Sequence, residues 1–248
     1  MLLLVVVIAV PLAWKVNRVR NQRAVVAELQ KLNGIIYYDY QHSFNVGLSR
    51  SAAPLPPGPD WLRNFLGVDY FAEVVHVNVS GPQVTNDTLA QLSSLPHLQL
   101  LGVNSDQITD SGVAIIAKSK ELFSFGVTSK SVTVASVDHL QGLPDLQFLR
   151  ISGSQVNDSW IEHFTKLKSL HTLVLRDTRI TADGLAGLAT LTTLDGLFFE
   201  DMSITDADLE QLQRMSNPTR IGLHNTQVTK DGVNRLKTAL PFCSVRFY

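Results

Sequence analysis

Apolar positions in this 248-residue chain recur at a constant spacing of 24 residues across residues 74–241. In each of seven consecutive units, an apolar residue is followed by a second three positions later and by a third two positions after that. Leu170, Leu173 and Leu175 form one such set, and Phe242 begins an eighth, truncated unit. Alternation of the last two positions is typical of a strand with one buried face. The pattern therefore predicts eight strands, one for each unit.

The second half of each unit predicts a short helix. A threonine follows an aliphatic residue in six units, and Asn157 takes its place in the seventh. The side-chain oxygens of these residues can accept hydrogen bonds from free N–H groups at a helix start. Acidic residues come next in six units, where they complement the positive end of the helix dipole. An apolar pair spaced by three residues, such as Leu185 and Leu188, then marks one helix face. Because one unit cannot bury its apolar side alone, stacking of the units must create the core.

The repeat approximates L-x-x-L-x-L-x-x-T-x-I-T-D-x-G-L-x-x-L and is best seen at Leu170–Leu188. This unit resembles that of leucine-rich-repeat proteins, notably bacterial ones of planctomycete type, and of the substrate-receptor arms of F-box proteins. The resemblance covers about 70% of the chain and implies an α/β solenoid with a parallel concave β-sheet, short convex helices and an N-terminal helix. Two departures are Pro218, in place of the leading leucine, and Val134 with Ala135, where an acid is expected. Such repeats serve many unrelated partners, so the resemblance implies the fold more strongly than the function.

The chain begins with an uncharged apolar run that ends at Trp14 and is followed by a basic cluster that starts at Lys15. We interpret residues 1–14 as a membrane anchor with Trp14 at the interface, as the bacterial proteins resembled here commonly carry such a segment. Fourteen helical residues span about 21 Å, less than the ~30 Å hydrocarbon core, so the true start is expected upstream of Met1. A signal peptide and a buried helix are the alternatives, and a signal peptide would need a basic first region. The basic cluster predicts a single-pass protein with its repeats on the cytoplasmic side.

The region between the anchor and the repeats predicts several small elements. In residues 15–59 we expect a helix that ends near Gly34, a strand at Ile35–Tyr40 and a proline-rich linker at Ser51–Pro59. Open solenoid ends expose apolar core and need a cap. The remaining predicted boundaries are an N-terminal cap at 60–73, seven repeats at 74–241 and a terminal strand at 242–248.

Charge and motifs narrow the function. Residues 1–58 contain six Lys and Arg and two Asp and Glu, whereas residues 59–248 contain fifteen and twenty. A nucleic-acid-binding surface is normally basic, so the acidic repeats disfavour nucleic acid, while the basic N-terminal region suits anionic lipid head groups. A single cysteine, Cys243, excludes an internal disulfide. Metalloprotease, paired-cysteine, nucleophile-elbow, P-loop and dinucleotide-binding motifs do not occur in the sequence, so we expect no enzyme, cofactor, metal site or small-molecule substrate.

The strand residues that alternate with the core positions should point to the concave face. They are mostly small and polar in the first three units, but include aromatic and charged residues in units four to seven. Aromatic and Arg side chains anchor many protein interfaces, so we predict a site for a protein partner there. The predicted concave patch consists of Phe148, Arg150, Val174, Arg176, Phe198, Glu200, Arg220 and His224. Alternatively, these side chains only pack on their neighbours, with Arg150 paired to Asp177 or Glu200.

The sequence thus predicts a non-catalytic, membrane-anchored leucine-rich-repeat protein that binds a protein partner on its concave face. One alternative is a soluble or secreted adaptor, such as the substrate-receptor arm of a larger complex, although residues 15–73 contain no F-box-like segment. Another is an envelope structural protein whose concave aromatic residues stack on a carbohydrate polymer. Arg150, Arg176 and Glu200 favour a protein partner over carbohydrate.

Overall fold

Nine strands form one sheet, in chain order, in the computed structural model, which describes residues 2–41, 55–216 and 218–248 and only the backbone of residues 2–12. Strands β2 to β9 are parallel to one another, whereas β1 pairs antiparallel with β2. A helix follows every strand from β2 to β8, so the chain is an α/β leucine-rich-repeat solenoid, as predicted. Residues 51–54 of the predicted linker lie outside the described residues.

The bounds of the elements repeat the 24-residue spacing of the sequence. The strands are β1 Ile35–Tyr38, β2 Val74–Ser80, β3 Leu100–Asn104, β4 Ser124–Thr128, β5 Phe148–Ser152, β6 Thr172–Arg176, β7 Gly196–Met202, β8 Arg220–Thr226 and β9 Ser244–Phe247. The helices are α1 Leu2–Lys31, α2 Asp60–Leu66, α3 Asn86–Leu92, α4 Asp110–Ile116, α5 Ala135–Leu140, α6 Ile161–Phe164, α7 Ala182–Leu188, α8 Asp206–Leu212 and α9 Lys230–Ala239. Short 3-10 turns at Val68–Tyr70 and Asp158–Trp160 precede β2 and α6.

The strand register stacks equivalent residues of successive repeats. Leu149 on β5 lies beside Leu173 on β6, which lies beside Leu197 on β7, and all three are fully buried. The apolar residues of the helices join the same cluster, which runs without a break from the first repeat to the last. The core therefore lies between the sheet and the helices, and the opposite face of the sheet is the concave face.

The helix starts are linked from one repeat to the next. The backbone N–H and the hydroxyl of Thr181 donate to the two carboxylate oxygens of Asp158, at 2.8 and 2.5 Å. Thr229 donates in the same way to Asp206, at 2.7 and 2.6 Å. The predicted capping role holds for Asn157, whose side chain accepts from the N–H of Ser159, but Thr181 makes no such bond within its own helix. Its hydroxyl is instead a donor to the preceding repeat.

The end of α1 packs on the open N-terminal end of the solenoid. Val25, Val26 and Leu29 are buried there and belong to the same core cluster as the strands. Gln22, which is 2% exposed, donates to the Asp69 carboxylate at 3.0 Å and to the Ala72 carbonyl at 2.9 Å, and accepts from the N–H of Val74 at 3.1 Å. In contrast, α2 buries none of its residues. The core at this end is therefore covered by α1.

The sequence predicted a membrane anchor at residues 1–14, and with it repeats on the cytoplasmic side. Within the described part of the chain, no helix is both long enough and apolar enough to cross a membrane. This finding contradicts the predicted single-pass anchor, and the orientation that depended on it is wrong as well. The physical reason lies in residues 13–31 of α1, where charged, exposed positions alternate with a buried stripe that packs on the solenoid. Met1 and the side chains of residues 2–12 lie outside the described part.

Candidate functional site

The strand register brings all eight residues of the concave patch onto four adjacent strands, β5 to β8. They lie in three rows across the sheet, because residues in register share a row. The rows, with the intervening residues, are Phe148–Thr172–Gly196–Arg220, Arg150–Val174–Phe198–Gly222 and Ser152–Arg176–Glu200–His224. The concave patch is thus one continuous surface, although its side chains differ in their solvent exposure.

An ion pair crosses the middle of the concave patch. The guanidinium of Arg150 on β5 donates to the carboxylate of Glu200 on β7, and so reaches over the intervening strand β6. Val174, the β6 residue beside Arg150 in the register, is only 4% exposed. Val174 was predicted as a contact residue, but its side chain is covered. Of the two pairings considered for Arg150, the structure has the one with Glu200.

The half-buried ring of Phe198 is held by the residue beside it on β8. A Cβ atom at Gly222 would overlap the ring carbons of Phe198, so the ring occupies the space that the glycine leaves. Phe148 is also half-buried and lies on β5, beside Thr172. The two rings therefore present only part of their surface to solvent.

Asp201, near the end of β7, pairs with Arg176 and is itself held by Asn225, near the end of β8; the sequence interpretation missed both residues. The Nε of Arg176 lies 2.8 Å from Oδ2 of Asp201, and Asn225 donates to Oδ1 of the same carboxylate at 2.8 Å. The bond from Asn225, followed by the charge of Arg176, lowers the pKa of Asp201. Both Asp201 and Asn225 have positive φ, as does Asp177 one repeat earlier. The recurrence of Asp or Asn at 24-residue spacing, at Asp177, Asp201 and Asn225, was the signal that could have identified them.

Arg220 and His224 lie on the same strand, β8, at opposite edges of the concave patch. The guanidinium of Arg220 lies 3.3 Å from the Asp195 carboxylate and 3.3 Å from the hydroxyl of Thr172. The His224 ring is exposed, and its centroid lies 6.1 Å from that of Tyr248. The side chains of Arg176 and Arg220 are 50% and 56% exposed, so these two cations and His224 are the accessible members of the patch.

Small residues in the first repeats leave a groove on the same face. Its floor is formed by Gly102 and Gly126, which are adjacent in the register, and Arg150 and Arg176 line its side. The groove encloses about 350 Å³. A second cavity of about 290 Å³ continues past the strand ends and shares Asn104, Thr128 and Arg176 with the first. The sequence showed that the concave positions of the first three repeats are small and polar, but we did not predict a site there.

The described residues contain no cluster of three or more His, Cys, Asp and Glu side chains that could hold a metal ion. Burial raises the pKa of the Cys243 thiol, which is the wrong direction for a thiolate nucleophile. Asp138 and His163 pair on the convex side at 2.7 Å, and this bond lowers the pKa of Asp138.

No protein-family model matches the chain, and no curated protein matches it. Among solved structures, the chain is similar to an internalin from Listeria monocytogenes. The match covers 75% of this chain and 66% of the internalin chain, with 17% sequence identity and a TM-score of 0.40. A likeness this distant carries no argument about function. The class of the protein, a leucine-rich-repeat solenoid, rests on its own repeat spacing and strand register.

Proposed function

We propose that this protein binds a protein partner on its concave face and has no catalytic activity of its own. The observation that carries the proposal is the concave patch on β5 to β8, where two half-buried aromatic rings lie among exposed cations. Aromatic and Arg side chains dominate the binding energy of protein interfaces. A sheet of nine strands offers a face about 38 Å wide at ~4.8 Å per strand, which suits a partner surface of about 800 Å².

The arrangement favours binding because the patch is held in place before a partner arrives. The Phe198 ring packs over Gly222, and the Arg176 guanidinium is held by its ion pair with Asp201. Side chains that are already ordered lose less conformational entropy on association. Val174 is covered and is left out of the proposed contacts, and the test below removes the two rings, Phe148 and Phe198, together with Arg176.

The test is crosslinking capture from native cell extract with the wild-type chain and a Phe148→Ala/Arg176→Ala/Phe198→Ala variant. We expect the wild type to recover a protein that the variant loses, because two aromatic contacts and one cation are removed. Truncation of a hot-spot residue typically weakens an interface by about 2 kcal/mol or more. Circular dichroism before capture checks that both chains are folded.

A matched control removes the same residue types elsewhere. Trp61 and Phe65 are 71% and 83% exposed, and the Arg235 side chain is 58% exposed. A Trp61→Ala/Phe65→Ala/Arg235→Ala variant should recover the same protein as the wild type. If the concave variant captures as well as the wild type, the concave patch is not the binding surface.

A further inference from the structure

A glycine on β4 opens the concave face to close approach by a ligand. Gly126 lies beside Gly102 of β3 in the register, and because the Asn78 side chain lies over Gly102, the open backbone is that of Gly126. Glycine within a strand often marks a site where a ligand or another backbone approaches closely. At Gly126 a Cβ atom would lie 3.6 Å from its nearest neighbour, the Cβ of Arg150, which is an ordinary contact distance. The fold would therefore accept a side chain at this position, and packing does not explain the glycine.

A buried hydroxyl beside the groove has no partner. Ser152 is 3% exposed, lines the cavity that continues the groove, and its Oγ makes no hydrogen bond within the described part of the chain. An unsatisfied buried hydroxyl is unfavourable, and such groups are rare in folded proteins. The Oγ has almost no accessible surface in the free chain, so a ligand group supplies the missing partner once the Ser152 side chain turns toward the cavity.

The lining favours an uncharged ligand with both donors and acceptors. Each cation along the groove already pairs with a carboxylate, so there is no excess positive charge to select an anion. The pairs are Arg150 with Glu200, Arg176 with Asp201, and Lys130 with Asp106. Asn104 and Thr128 offer an amide and a hydroxyl, and no aromatic ring lines either cavity, whereas carbohydrate sites commonly use one to stack on the sugar.

The shape favours an extended chain. The groove runs along the strands from Gly102 and Gly126 to Asn104 and Thr128, and then past the strand ends to Asp106 and Lys130. Four residue steps along a strand cover about 13 Å. The two cavities of about 350 and 290 Å³ lie in the size range of ligand pockets.

We propose that this groove binds an extended polypeptide segment of about four residues, with its backbone over Gly126 and a hydrogen-bonding group on Ser152. The inference rests on the proposed function, since it names the part of a protein partner that the concave face receives. It places the backbone contact on β4, beside the concave patch, with which the groove shares Arg150 and Arg176.

The experiment pans a phage-displayed library of random decapeptides against the wild-type chain and measures the enriched peptides, as synthetic peptides, by isothermal titration calorimetry. Gly126→Val fills the groove at a position that accepts a side chain, and Ser152→Ala removes the hydroxyl. The control is Gly142→Val, at an exposed turn where a Cβ would also meet its neighbours at ordinary distances, 3.6 Å and beyond. Thermal denaturation of each variant accompanies the titrations.

We expect enriched peptides to lose at least tenfold in affinity with Gly126→Val and about threefold to tenfold with Ser152→Ala, the loss of one hydrogen bond. Gly142→Val should leave the affinity unchanged, and Ser152→Ala should not lower the melting temperature, because the hydroxyl has no partner in the free protein.

Three results would overturn the inference: no enriched peptide, peptides that bind Gly126→Val as tightly as the wild type, or binding on a glycan array that Gly126→Val abolishes. If the peptides bind Gly126→Val with unchanged affinity but do not bind the Phe148/Arg176/Phe198 variant, the groove is not their site and the proposed function stands. If the Phe148/Arg176/Phe198 variant also captures the protein partner as well as the wild type does, both proposals fail.

Discussion

At the scale of single residues, one helix-start position explains a recurring pairing of small and large side chains. Where a repeat has Asp or Asn directly after its threonine, or after Asn157 in the fourth repeat, the equivalent helix of the next repeat has Gly or Ser two positions further on. Where the repeat lacks that side chain, the next repeat has a larger residue. The pairs are Asn86/Gly112, Asp110/Ser136, Asp158/Gly184 and Asp206/Gly232, against Val134/Trp160 and Ala182/Asp208.

Space is the reason for this pairing. A Cβ atom at Gly184 would overlap the Asp158 carboxylate that accepts both hydrogen bonds from Thr181. In the repeat that follows Ala182, Asp208 itself accepts from the N–H and hydroxyl of Thr205, both at 2.8 Å. The threonine is therefore satisfied either by the preceding repeat or by its own helix.

Gly184→Ala tests the pairing. The added methyl group must displace the Asp158 carboxylate, so we expect a loss of about 1–3 kcal/mol in the free energy of unfolding. Urea denaturation measures it. The double variant Asp158→Ala/Gly184→Asp copies the native Ala182/Asp208 pair and should recover most of the loss. A double variant no more stable than Gly184→Ala alone would contradict the explanation.

Acid sensitivity follows from the same contacts at Asp206. The hydroxyl and N–H of Thr229 lower the pKa of Asp206 below its usual value. A carboxylate with a lowered pKa stabilises the fold above the pKa of the unfolded chain, about 3.9, and this contribution is lost as the pH falls through the folded-state pKa. Asn86 accepts from the N–H of Thr109 and donates to its hydroxyl, so Asp206→Asn should keep Thr229 paired without this titration.

Melting temperatures between pH 5 and pH 3 check this expectation. The wild type should lose stability more steeply than Asp206→Asn over that interval, whereas the two chains should have similar slopes between pH 6 and pH 8. Parallel curves below pH 5 would show that Asp206 does not contribute to the acid sensitivity.

At the scale of elements, α1 decides how the solenoid ends. Gln22 joins α1 to the segment before β2 through three hydrogen bonds, and Tyr38 on β1 donates to the same Asp69 carboxylate at 3.0 Å. Burial, followed by the charge of Asp69, raises the pKa of Tyr38, so its hydroxyl stays protonated at neutral pH. This buried polar network fixes the position of α1 and β1 against the first repeat.

Gln22→Ala should remove about 2–3 kcal/mol, because the N–H of Val74 and the carbonyl of Ala72 lose their buried partner. In a solenoid each repeat contacts only its neighbours, so the loss should be local. Hydrogen exchange should therefore accelerate in α1 and β2 but not in β7. Asn21→Ala is the control, since Asn21 makes only exposed bonds to Ser94. Uniform acceleration along the chain would contradict a local role.

At the scale of the whole molecule, the concave face combines two different surfaces. The first repeats form a groove with a glycine floor, and repeats four to seven form the concave patch of rings and ion pairs. Arg150 and Arg176 belong to both, because they line the groove and lie in the patch. One partner could therefore place an extended segment in the groove and a larger surface on the patch, and the two sets of variants above separate these contacts.

The sequence alone determined the fold, because a period of 24 residues leaves only one way to bury every apolar position, by stacking the units. It also determined which strand residues face the concave side, since side chains alternate along a strand. It could not determine that Val174 is covered, that Arg150 pairs with Glu200, or that Phe198 lies over Gly222. Those contacts join strands 24 to 50 residues apart and depend on the volume of each neighbouring side chain.

The N-terminal region shows the same limit more sharply. The apolar run and the basic cluster predicted a membrane anchor, because hydrophobicity along the chain does not show what a helix packs against. The described part of α1 is instead buried along one side by the first repeat, through Val25, Leu29 and Gln22. The repeats can be recognised in the sequence by their 24-residue period, whereas the segment that covers the end of the solenoid is not part of any repeat. Only the tertiary structure decided which element covers it.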